Sequence, residues 1–150
     1  MSAAREHEFH GDALSALDWC YEQGWAADGL PVIPPEKRRV EAMLAAQTRP
    51  PQTVIASHPA TGNQCTIEAA AINAVMAGCL PEYLPVVIAA LEAMDRPEFT
   101  FHGSTASTGG AQHLLIVSGP IVEQIGMNPA GNCFGPGNRA NATIGRAIRL

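Results

Sequence analysis

Charge is what this chain has least of. Only 15% of its 150 residues are Asp, Glu, Lys or Arg, against about 25% in ordinary soluble domains. A surface so short of charge is expected to be partly covered. The composition therefore predicts a second, different chain, a homo-oligomer, or both as partners. Aromatic residues are scarce too, at 5%, and alanine supplies much of the apolar content. Close helix packing suits that composition better than a β-sandwich core does. Basic runs are also missing. Lys37-Arg38-Arg39 is short, and the formal charge is −5, which argues against nucleic acid as the main partner.

Long apolar runs are absent. Residues 84–90 form the longest, well under the roughly 18 residues of a membrane span, so no membrane is expected. Residues 1–10 carry Glu6, Glu8, His7 and His10 and have no signal-peptide core. They read as a flexible N-terminus, and the chain reads as cytoplasmic. No Cys-x-x-Cys pair occurs. The four cysteines are spaced 45, 14 and 54 residues apart, which fits no zinc ribbon and predicts reduced thiols. His7-x-x-His10 has metal-pair spacing but lies in a terminal segment.

What is present alternates short helices with glycine-rich connections. Residues 11–150 read as a single α/β domain, helices with a small sheet. Asp12 is placed to cap a first helix with Leu14, Leu17 and Tyr21 on one face, ended by Gly24. The string Asp28-Gly29-Leu30-Pro31-Val32-Ile33-Pro34-Pro35 must be extended, because its prolines exclude a helix interior. Pro35 opens a second helix carrying Val40, Met43 and Leu44, and residues 49–51 stop it. Residues 54–56 suit a short strand. Thr66 is an N-cap candidate for a third helix, with Glu68 in its first turn. Strands are further expected over 99–101 and over 113–117. The second of these is an apolar run between glycines, of the kind covered on both faces. A helical turn is expected over 121–125 and a final helix over 140–150.

Cys79 stands in the punctuated junction Ala77-Gly78-Cys79-Leu80-Pro81-Glu82-Tyr83. Gly78 is placed to end one helix and Pro81 to open the next. A thiol just outside a helix N-terminus can become a thiolate nucleophile or a metal ligand. It can equally be a buried cysteine filling a tight corner. His102, at an expected strand-to-loop transition, is the better base for it, and His113 the other candidate. Between them runs a polar glycine loop with Ser104, Thr105 and Thr108.

The segment Gly126-Met127-Asn128-Pro129-Ala130-Gly131-Asn132-Cys133-Phe134-Gly135-Pro136-Gly137-Asn138-Arg139 precedes the final helix. Gly135, Gly137 and Asn138 with the Arg139 cation suit a seat for a carboxylate or phosphate. The same loop can simply close the core. Asn73, on an otherwise apolar helix face, holds a loop or touches a ligand. Cys20 beside Trp19 looks like core; Cys65 and Cys133 lie in loops.

The strings over 28–35, 71–87 and 134–146 resemble a bacterial family associated with thiol and selenol proteins that carry a UGSC motif. The resemblance covers most of the chain after Asp28. It implies that Cys79, Asn73 and residues 135–139 share a site, and that the polypeptide of family members extends past the equivalent of Leu150. A fainter similarity, carried by residues 79–83 alone, runs to iron–sulfur hydro-lyases. It implies Cys79 as a cluster ligand, so a metal ion or an iron–sulfur cluster is a compatible cofactor. The final helix, with Ile144, Ala147, Ile148 and Leu150, is expected to pack on further protein. The chain thus reads as one subunit or fragment of a larger enzyme, a lyase or oxidoreductase. It would act on a small anionic or polar substrate by thiol-based redox or lyase chemistry, or by metal-assisted hydration, at Cys79. The competing reading is a non-catalytic subunit that shapes a catalytic partner.

Overall fold

The computed structural model describes residues 5–106 and 108–150, with the backbone alone at Thr105. The fold is a mixed α/β arrangement in chain order α1 (Ala13–Glu22), α2 (Lys37–Leu44), β1 (Val54–Ser57), β2 (Gln64–Thr66), α3 (Ile67–Ala77), α4 (Leu84–Met94), α5 (Phe101–Thr105), α6 (Ile121–Gln124) and α7 (Arg139–Arg149). No helix among the described residues is long and apolar enough to cross a membrane.

Helix α3 is the axis. It packs against α2, α4 and α7. Its Ile67, Ala70, Ala71, Ala74, Val75, Met76 and Ala77 are all buried. A helix apolar all round needs neighbours on several sides, and the alanines let them come close. Its first amides are all used. Ile67 N–H donates to the Thr53 carbonyl and Glu68 N–H to that of Pro51, while Ala69 N–H reaches Thr66 Oγ1 at 3.2 Å. Thr66 is thus the expected cap. Helix α7 buries Ala140, Ile144 and Ala147, one stripe at helical spacing. Ile148 and Leu150 pack on the same core. The apolar face of the last helix thus packs against this chain's own core, with Ile148 and Leu150 left half-buried.

Strands β1 and β2 pair antiparallel with an irregularity between Val54 and Ala56. A lone two-stranded hairpin is marginal in water. This one leans on α4, where Ile55 enters the core and Asp95 Oδ1 accepts the Ser57 N–H at 2.7 Å. A second, smaller cluster joins Cys20, Val32 and Met76 with Trp19, Trp25 and Ile72. Asp12 caps α1 as expected, but the predicted Leu14–Leu17–Tyr21 face is wrong. Leu14 and Tyr21 are exposed. The indole of Trp19 packs edge-on against Trp25, at 4.9 Å between ring centroids, and it turns Cys20 inward instead. His7 packs edge-on against both indoles, a packing role for half of the His7-x-x-His10 pair.

Two expected strands are not formed. Residues 97–101 make a 3-10 turn (Pro97–Phe99) followed by α5. Pro97 at the first position with Glu98 behind it favours a helical start over an extended path. Residues 113–117 are extended but have no ladder partner, because β1 and β2 pair only with each other. They are also not covered on both faces, since Leu114 and Ile116 are 67% and 87% exposed.

Candidate functional site

The Cys79 corner is built by how α3 stops. Gly78 takes a left-handed conformation, φ 93°, that a side-chain-bearing residue rarely adopts. Cys79 N–H then folds back to the Ala74 carbonyl at 2.9 Å and closes the helix. A 3-10 turn, Pro81–Tyr83, separates Cys79 from the start of α4. The thiol is therefore a full turn removed from the α4 N-terminus that was expected to favour its anion. Its residue is only 7% exposed. Burial pushes the thiol above its ordinary value of 9.0, while Thr143 and the Arg139 charge pull the other way without reversing the shift. Thr143 is weak help for a thiolate, because its hydroxyl proton already goes to the Arg139 carbonyl at 2.8 Å.

Arg139, 61 residues beyond Gly78 in sequence, reaches the same corner. Its Nε donates to the Gly78 carbonyl at 2.9 Å. A cation there meets the negative end of α3. The two terminal guanidinium nitrogens have no hydrogen-bond partner among the described residues, and the residue is exposed. The structure thus joins Cys79 with Arg139 and adds Thr143.

The glycine loop before α7 is mostly self-satisfied. Asn138 caps the helix by accepting the Asn141 N–H at 3.0 Å and donates to the Gly126 carbonyl at 2.8 Å. Asn141 accepts the Asn128 N–H and donates to the Asn128 and Cys133 carbonyls. Gly135 lies so close to the Asn132 amide that a Cβ would overlap it, and Gly137 has φ 114°. Both glycines are needed for the loop's own path. Asn141 escaped the sequence reading. Its signal was the polar pair Asn138-x-x-Asn141 across a first helical turn, which is cap spacing.

The other candidates lie elsewhere. Ser104 and His113 meet on the outer side of α4, with His113 Nε2 3.5 Å from Ser104 Oγ. Phe99 and Phe101 pack around the imidazole. Ser104 Oγ donates to the Phe101 carbonyl at 2.9 Å. Its lone pair is then left to accept from Nε2, which leaves the ring's other nitrogen, Nδ1. That atom is buried with no partner among the described residues. His102 sits on α5 rather than at a strand end, exposed, as is Thr108. The Thr105 side chain lies outside the described residues. Among the described residues, neither Ser104 nor His113 is hydrogen-bonded to Cys79 or Arg139. Asn73 is half-buried on α3 and lines a broad groove against α2 and residues 5–13, beside Glu68, Ile72 and Met76. It holds no loop among the described residues.

The donors around Cys79 are one thiol, one hydroxyl and one guanidinium. They do not fit a metal ion or an iron–sulfur cluster. No group of three His, Cys, Asp or Glu side chains converges among the described residues. Comparison with family models, curated proteins and solved structures found no match to this chain.

Proposed function

We propose that this chain is a component of an enzyme that binds a small anionic or polar substrate at the Cys79–Arg139 corner. One observation carries the reading. Arg139 is pinned through Nε to Gly78 while its terminal nitrogens, beside Cys79 and Thr143, have no partner among the described residues. A guanidinium held in place with both terminal nitrogens free is suited to a carboxylate or phosphate. The raised thiol narrows the chemistry. At neutral pH Cys79 is a thiol, not a thiolate, so it is a poor resting nucleophile. A protonated thiol beside a cation can instead give its proton to a substrate carbanion or leaving group, and the guanidinium would meet the thiolate left behind. This favours lyase over redox chemistry.

Thermal unfolding of the wild type and Arg139→Ala against a panel of small carboxylates and phosphate esters tests the seat. At least one member should raise the wild-type melting temperature and leave the variant unmoved. Equal shifts in both proteins, or none in either, would remove the reading. The burial of Cys79 favours a second one, a non-catalytic subunit in which Arg139 only caps α3. Under it, Arg139→Ala lowers stability by the same amount with and without every member of the panel.

A further inference from the structure

We propose that residues 112–118 are an open β-edge that pairs with the same segment of a second copy of this chain, antiparallel about Leu115. Side chains here alternate strictly. His113, Leu115 and Val117 are half-buried against α4, whereas Leu114 and Ile116 point outward at 67% and 87% exposure. That is the period of a strand. The backbone has no ladder to match it. Among the described residues, no N–H or carbonyl from 112 to 118 takes part in a hydrogen bond; the nearest, the Ala111 carbonyl, accepts from Arg149. Gly110 and Gly119, both at positive φ, bound the stretch.

A row of unpaired main-chain groups is filled by another extended chain, because only a strand matches its spacing. The devices that protect natural edges are missing, since residues 111–118 contain no Lys, Arg, Asp, Glu or Pro. The same composition points to a second copy. Around a two-fold axis at Leu115, Leu114 faces Ile116 of the other copy on the outward side, and His113 faces Val117 on the inward side. No like charges meet. Strands β1 and β2 are four and three residues long and already pair with each other. The segment itself is the one described stretch of this chain with the length, alternation and free backbone to complete it. A two-fold contact of this kind is the commonest form of self-association.

The test is the native mass of the chain, with amide hydrogen exchange read residue by residue. A dimer of the 15.8 kDa chain is expected, with protection on alternate amides, either 113, 115 and 117 or 114, 116 and 118. The double variant Leu114→Lys, Ile116→Lys puts four like charges in facing positions. It should weaken the dimer by about tenfold or more while keeping the monomer's circular dichroism. Both side chains are exposed, so the monomer does not need them. A monomer with fast exchange throughout 112–118 would overturn the proposal. So would a dimer that survives the double variant, or protected amides in a complex with a different chain.

Discussion

Helix α3 and residues 112–118 are both apolar, yet the chain treats them oppositely. Every initial amide of α3 finds an acceptor, and its end is closed by Gly78 and Cys79. The extended segment has outward Leu114 and Ile116 and, among the described residues, no hydrogen bond to its backbone. Composition does not separate the two. The difference is where backbone partners come from: a helix carries them within itself, a strand must be handed them by another strand.

Mutations can break this contrast directly. Ile144, 1% exposed under α3, should cost about 2–5 kcal/mol when cut to alanine. Ile116→Ala should leave monomer stability within about 0.5 kcal/mol. Urea unfolding of the two variants checks the pair, and similar losses would mean that Ile116 is buried after all.

A second test concerns the tie between the extended prolines and α7. Arg146 grips Asp28 through Nε and Nη2, at 2.7 and 3.1 Å, and also donates to the Leu30 carbonyl. Both side chains are about a fifth exposed. Arg146→Ala should cost about 1–3 kcal/mol. Arg146 holds the Asp28 carboxyl below its ordinary 3.8. The folded state thus binds this proton less readily than the unfolded chain. Its contribution is complete above pH 3.8 and is lost as pH falls through the lower folded value. An Asp28→Asn variant should flatten the acid limb of a stability–pH curve.

Next in size is Gly137→Ala. At φ 114° a Cβ is strained, so about 1 kcal/mol should be lost and the Asn138 cap should loosen. A proton-exchange measurement at the Asn141 amide reads this. The smallest effect belongs to Cys79. Its pKa is raised by burial, so the unfolded chain loses this proton first. The stability it supports is whole below pH 9.0 and declines as pH rises toward the folded value. Cys79→Ala should shallow that alkaline decline, and iodoacetamide should modify Cys133 before Cys79. Prompt labelling of Cys79 at neutral pH would restore an activated thiol.

Local signals were legible in the sequence. The caps at Asp12 and Thr66, the stop at Gly78 and the strand at 54–56 all follow from residues within one turn of where they act. Strand β2 was not, because Gln64-Cys65-Thr66 has no apolar alternation and exists by pairing with β1. The strand expected over 113–117 is not formed and Leu114 and Ile116 are open, since a ladder partner and a cover both depend on distant chain. The site divides the same way. Cys79 stood out through Gly78 and Pro81. Its meeting with Arg139 was only implied by a family resemblance, and Thr143 and Asn141 were missed, since their partners are set by packing. His102 was drawn toward Cys79 by an expected strand end that is in fact a helix, Asn73 by the family resemblance, and Ser104 by its polar glycine loop.

The Arg146–Asp28 grip spans 118 residues, nearly the whole chain. Contacts that distant require almost all of the loop entropy to be spent first. Such contacts are expected to form after the α3 core has gathered, on the downhill side of the folding barrier. Loosening the grip should therefore leave the folding rate nearly untouched and quicken unfolding. Asp28 and Arg146 then act as a latch on lifetime: the core decides whether the molecule folds, and one guanidinium decides how long it stays shut.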